Sequence, residues 1–173
     1  MLLSSILGPN NYTVHYFMLR MPYLEATIHE VLRFSSLVPL GVAHRALEDV
    51  QFHGYTIPKG TTVIGNIYKG NNEKSVWGDP ENFRPERFLS KDGKSLVHYD
   101  AWMPFAVGKR VCLGETLARD ELFLFLGNLV QAFKVDTVPG AAKPNFESLS
   151  GGILIPPAHE LILLDRVGDA YKN

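Results

Sequence analysis

Pro104-Phe105-Ala106-Val107-Gly108-Lys109-Arg110-Val111-Cys112-Leu113-Gly114 decides how the chain is read, because it holds the only cysteine. The thiol sits between two glycines, with two cations just before it and an apolar helical run just after it. Each of these residues has a use if Cys112 binds a metal as the thiolate. Gly108 lets the chain turn tightly, and Gly114 lets the backbone press against a flat ligand. A helix starting near Leu113 aims its free N–H groups back at the sulfur. Those dipoles, with Lys109 and Arg110, favour thiolate over thiol. A buried structural cysteine is the competing reading, and the usual one for a lone Cys.

The bulk numbers narrow the field. A chain of 173 residues, 46% of them apolar, suffices for one domain with a real core. A net charge of −1 lacks the basic balance of nucleic-acid binders, so no such partner is expected. One cysteine excludes an internal disulfide and points to a reducing compartment. No apolar run approaches the ~20 residues of a membrane-spanning helix. Residues 1–20 form an unassigned leader. Its apolar start is broken by Gly8-Pro9-Asn10-Asn11, and no cation precedes Arg20, which excludes a secretory signal. The sequon Asn11-Tyr12-Thr13 is of a kind common by chance.

Upstream of the cysteine, Pro22 suits the first turn of a helix, and Leu24, Ile28 and Val31 form an apolar stripe of helical period. On that helix Glu30 and Arg33 share a face. His29-Glu30 starts like a zinc-protease helix, but Arg33 stands where the second His is needed, so zinc is rejected. Pro39 ends any helix. Val50-Gln51-Phe52 and Tyr55-Thr56-Ile57 flank His53-Gly54, a hairpin signal, and Thr61 to Ile64 reads as a further strand. Lys69 to Glu73 reads as a polar loop. Next comes Asp79-Pro80-Glu81-Asn82-Phe83-Arg84-Pro85-Glu86-Arg87-Phe88. After the cysteine, Glu115 and Arg119 are spaced to pair on a helix. Leu122 to Val130 is apolar nearly all round, which predicts a buried helix. Ser150-Gly151-Gly152-Ile153 offers a turn, and Leu161 to Leu164 closes a sheet.

In chain order, Glu30-x-x-Arg33, the Asp79–Phe88 segment and Phe105-x-x-Gly108-x-Arg110-x-Cys112-x-Gly114 resemble three signatures of the cytochrome P-450 superfamily. They look like its K-helix pair, its Pro-x-x-Phe-x-Pro-Glu-Arg-Phe segment and its haem-binding loop. The resemblance implies an α+β, mainly helical fold over residues 21–173. That is the C-terminal, haem-binding part of the family's fold, with K and L helices, small β-sheets, a meander and the cysteine loop. It implies haem (iron protoporphyrin IX) with Cys112 as the axial metal ligand, and no catalytic residue beyond that ligand is assigned. By the same resemblance Arg110 contacts a propionate, Phe105 shields the thiolate side of the ring, and Gly114 belongs to the cofactor site. His44, with Arg45 a weaker choice, is a second propionate candidate or an ordinary surface histidine. Arg87 joins Glu30 and Arg33 in a structural network that, once dry, tolerates no missing member. Val38, Leu40, Gly41 and Val42, with Gly152 and Ile153, match segments that line the substrate pocket.

The function implied is monooxygenation, the insertion of one oxygen atom from O2 into a lipophilic xenobiotic, steroid or fatty acid. Electrons come from NADPH through NADPH–cytochrome reductase. The wording around Ile57-Pro58-Lys59-Gly60-Thr61 and Met103-Pro104-Phe105 resembles the animal microsomal group. That group works at the cytosolic face of the endoplasmic reticulum membrane, so membrane association is expected for a full-length parent only. An N-terminal anchor and the distal helix that delivers protons are not recognisable here. A truncated product or partial gene model is therefore expected, with apolar faces left exposed. Two alternatives stand beside this reading. One is a non-catalytic truncated fragment, and the other a haem-thiolate isomerase that needs no reductase.

Overall fold

The computed structural model describes residues 18–142, 145 and 152–166. Most of the leader, with its sequon, and Ser150-Gly151 lie outside the described residues. Helix α1 (Pro22–Ser35) starts with Pro22 in its first turn and ends at Ser36, whose φ of 42° stops it before Pro39. Strands β1 (His44–Arg45), β2 (Val50–Phe52), β3 (Tyr55–Ile57) and β4 (Thr62–Val63) follow. Strands β2 and β3 pair antiparallel, Val50 opposite Ile57, around His53 and Gly54, which both have positive φ. This is the turn that the His53-Gly54 pair predicts. Strands β1 and β4 pair with His44 opposite Val63.

Two short helices come next, α2 (Ile67–Asn71) and α3 (Lys74–Trp77). The loop expected over Lys69–Glu73 is thus largely helical. Asn66 caps α2 by accepting the Lys69 N–H at 2.9 Å, and Asn71 is fully buried. Two 3-10 turns, Pro85–Phe88 and Gly108–Arg110, lead to helix α4 (Glu115–Ala132). Helix α4 begins at Glu115, with Gly114 as its N-cap, two residues later than expected. Strands β5 (Phe133–Thr137) and β6 (Leu161–Asp165) close an antiparallel pair. The architecture is α+β, and among the described residues helix is the larger share and the strands form three two-stranded sheets.

The core has two parts. Met18, Ile28 and Phe123 are buried where α1 crosses α4, with Leu24, Leu32, Leu122 and Leu126 around them. Gly127 allows that crossing, since a Cβ there would stand 3.3 Å from Leu24 Cδ2. Ala26, Trp77 and Phe88 are buried on another side of α1, against Leu89, Leu96, Tyr99, Ala101 and Trp102. The burial expected for α4 is not observed. Phe123 is its one buried residue among those described, while Leu117 and Phe125 are exposed. One neighbouring helix covers one stripe of a helix that is apolar on most sides, so the rest faces outward.

Candidate functional site

Two constructions flank α1, and the first is closed. Glu30 and Arg33 are completely buried, and Arg87 is nearly so. The Glu30 carboxylate takes Arg33 in bidentate fashion, with Nε on Oε2 at 2.7 Å and Nη2 on Oε1 at 2.8 Å. Arg87 Nε donates to Glu30 Oε1 at 3.1 Å, and the Arg84 backbone N–H reaches the same oxygen at 2.8 Å. Helical spacing puts the first pair on one face of α1, and the 3-10 turn opened by Pro85 delivers Arg87.

Each remaining guanidinium nitrogen also has an acceptor. Arg33 donates to the carbonyls of Asn71 and Pro80. Arg87 donates to those of Trp77, Asp79 and Asn82, and it pairs with Asp79 Oδ1 at 3.3 Å. Asp79 is a fourth member that sequence reasoning missed. Its place beside Pro80 marks a turn but not a partner for an arginine. The hydrogen bond from Arg84, at 2.6 Å, holds the Asp79 carboxyl down at about 2. Two carboxylates therefore face two buried cations, which is what dry burial of charge requires.

The second construction, the cysteine loop, is open. Ala106 and Gly108 have φ of 62° and 76°, so the chain doubles back and the Cys112 N–H meets the Phe105 carbonyl at 2.9 Å. Cys112 is a free, exposed thiol, not the buried structural cysteine of the competing reading. It stands just ahead of the α4 N-terminus, where the Glu115 N–H donates to the Cys112 carbonyl at 3.4 Å. Leu113 is 102% exposed and Val107 62%, so the thiol is set in apolar surface. Phe105 is half-buried, and Gly114 lies close enough that a Cβ there would stand 3.8 Å from the sulfur.

A cleft of about 790 Å³ lies beside the loop. Val42, His44 and Arg45 line one side of it, and Lys109, Arg110, Val111 and Leu113 the other. The structure thus brings His44 and Arg110 to one cleft. Cys112 is not among its lining residues, although its neighbours on both sides are. Among the described residues, the side chains of His44, Arg45, Lys109 and Arg110 have no hydrogen-bond or ion-pair partner. Unpaired cations beside an apolar, thiol-bearing loop suit a flat apolar ligand that carries carboxylates. The donor set fits haem. Cys112 would hold its iron, while Arg110 and His44 would hold its propionates.

The substrate-lining candidates fall elsewhere, apart from Val42. Val38, Leu40 and Gly41 follow α1, where Gly41, at φ 59°, packs against Ile67. Gly152 and Ile153 are exposed, and the Leu154 N–H donates to the Leu37 carbonyl at 2.8 Å. That bond ties the two candidate segments together.

Comparison with known proteins follows the same lines. A cytochrome P-450 family model matches residues 5–164, beginning inside the leader. The chain is 43% identical over 147 residues to cytochrome P-450 2D6 of Pan troglodytes, covering 85% of this chain and 29% of that protein. Identity to cytochrome P-450 2D4 of Rattus norvegicus is also 43% over 147 residues, with the same two shares. The match to vitamin D(3) 25-hydroxylase of Sus scrofa is 42% over 146 residues, 84% of this chain and 29% of that one. The chain spans about 29% of the length of these curated relatives.

Proposed function

The chain belongs to the cytochrome P-450 family, and from that membership we propose that it supplies the thiolate side of a haem monooxygenase. Haem, when bound, supplies the redox chemistry that splits O2 and inserts one oxygen atom into a lipophilic substrate. The chain's own residues hold and orient that group. Cys112, at the head of α4 and close to Lys109 and Arg110, would give the sulfur that holds the iron. Arg110 and His44 anchor the carboxylates from opposite walls of the cleft, and Phe105 covers the sulfur side. The buried Glu30–Arg33–Arg87 network holds the meander from which the loop departs. Val42 adds to the cleft wall, and Val38, Leu40, Gly41, Gly152 and Ile153, which lie outside that cleft, would face the substrate from a separate patch tied by the Leu154–Leu37 bond.

The observation that carries this reading is the exposed thiol of Cys112 beside unpaired cations in an apolar rim. The relative named for vitamin D(3) 25-hydroxylation supports a lipophilic substrate. Electrons come from NADPH through a cytochrome reductase, and the whole protein works at the cytosolic face of the endoplasmic reticulum. No helix among the described residues is long and apolar enough to cross a membrane. The test is the ferrous–CO spectrum of the haem-loaded chain. Thiolate ligation gives a red-shifted Soret band, which Cys112→Ser removes. A band that survives the substitution refutes the assignment.

A further inference from the structure

A third cluster lies on α1, apart from the buried network, and it touches both ends of the cysteine loop. Before the loop, Trp102 donates its indole N–H to the His29 carbonyl at 3.1 Å. Its ring stacks on the His29 imidazole with centroids 4.3 Å apart and planes at 26°. After the loop, Glu115 opens α4 and faces Arg119 one turn on, with Nη1 to Oε1 at 3.7 Å. Arg119 Nη2 then donates to Glu25 Oε1 at 3.0 Å, ninety-four residues away in the chain. Its guanidinium carbon lies 6.0 Å from the centre of the Trp102 ring. Glu25 and His29 are one helical turn apart, and the His29 ring is bonded through Nδ1 to the Glu25 carbonyl at 2.9 Å. Both flanks of residues 103–114 therefore converge on one turn of α1, and Arg119 touches all three parts.

We propose that Arg119 is a positioning residue for Cys112. By joining Glu25 on α1 to Glu115 and Trp102 at the two ends of the cysteine loop, it sets where the thiol stands. The inference rests on the reading of Cys112 as haem ligand for its purpose, though not for its geometry. Between its two flanks the loop is held by short backbone bonds of its own, such as Cys112 N–H to Phe105 O. It has little burial to fix it, since Val107, Val111 and Leu113 are exposed. The position of such a loop follows from where its ends are pinned. Arg119 is only partly exposed, with 28% of its side chain accessible, and Glu25 still less at 12%, so the pin is shielded from the solvent that weakens surface pairs.

The test uses the full chain and two readouts. Amide hydrogen exchange is measured first, without haem, in wild type, Arg119→Met, Arg119→Lys and Glu25→Gln. The expected result is a rise on the order of tenfold in exchange at Cys112 for Arg119→Met and Glu25→Gln. Arg119→Lys should recover part of it, and the buried amides of α1 around Glu30 should keep their wild-type rates. Unchanged exchange at Cys112, or an equal rise along the whole of α1, overturns the proposal, the latter because it marks general loosening. Next, the haem-loaded chains are followed by their ferrous–CO spectra. The red-shifted band should decay several-fold faster in Arg119→Met than in wild type and be partly restored in Arg119→Lys. A band equally stable in all variants also overturns the proposal. If wild type never shows the band, the ligand assignment of Cys112 fails, and the exchange rates still decide whether Arg119 positions the loop.

Discussion

The Glu30–Arg33–Arg87 network and the cysteine loop use similar materials, arginines and tight turns, to opposite ends. In the network every guanidinium faces a carboxylate or carbonyl, and Glu30 and Arg33 are sealed from water. In the loop the arginine and lysine have no partner among the described residues, and apolar side chains stand in solvent. The first region is paired within its own chain, whereas the second leaves its cations and apolar side chains open. Burial with close pairing therefore marks scaffold here, and exposure without pairing marks the surface proposed to hold haem.

The comparison breaks most visibly at Arg87. Arg87→Ala leaves the fully buried Glu30 carboxylate with Arg33 as its one cation, and breaking a buried pair in this way typically costs about 3–5 kcal/mol. Urea unfolding of the chain should show that loss, and a cost under about 1 kcal/mol would mean that water relieves the site.

Next in size is a pH effect beside the network. Burial, aided by nearby Arg119 and His98 and opposed by the bond to the Glu25 carbonyl, pushes the His29 imidazole down to about 4. The unfolded chain takes up this proton near the ordinary value of 6.5, the folded chain only near 4, so unfolding is favoured as pH falls between them. The stability contributed is complete above pH 6.5 and gone below about 4, a change on the order of 3 kcal/mol. Chemical denaturation across that window checks it, with His29→Phe expected to flatten the slope. An unchanged slope in the variant would assign the proton uptake to other groups.

On the loop side the effects shrink. Gly108→Ala places a side chain at φ 76° with no atom within 4 Å of the new Cβ, so its cost is conformational alone, about 1 kcal/mol. Thermal unfolding should register it, and a neutral result would show that the loop has another way to turn. Smallest of all, Leu113→Ala should change stability by less than about 0.5 kcal/mol, because the side chain is fully exposed. The same variant should lose haem faster in a transfer assay to an acceptor protein, if Leu113 is rim rather than core. Equal retention would remove Leu113 from the binding face.

What was legible beforehand follows the same division. Helix α1 shows in Pro22 and an apolar stripe, and the β2–β3 hairpin shows in His53-Gly54, because both depend on neighbours in sequence. Helix α2 was hidden because Asn71, a polar residue, is fully buried. Its carbonyl satisfies Arg33, thirty-eight residues away. Asp79 went unnoticed for the same reason, since nothing local tells a turn aspartate from one that balances a buried arginine. The exposure of α4 was missed because an apolar run reports what a helix could bury and not how many neighbours reach it. For the site, the spacing around Cys112 pointed to one loop, but the meeting of His44 and Arg110 across a cleft needed the fold.

The indole bond from Trp102 to His29 has a consequence in time as well as in space. Synthesis runs from the N-terminus, and domains tend to form as their parts emerge. The members of the buried network, from Glu30 to Arg87, and the aromatic cluster that closes on Trp102 all precede Cys112 in the chain. Nine residues still separate Trp102 from Cys112 when that cluster has its last member. The ribosome thus delivers Cys112 to a foundation whose charges and rings are already at hand, with α4 still to follow.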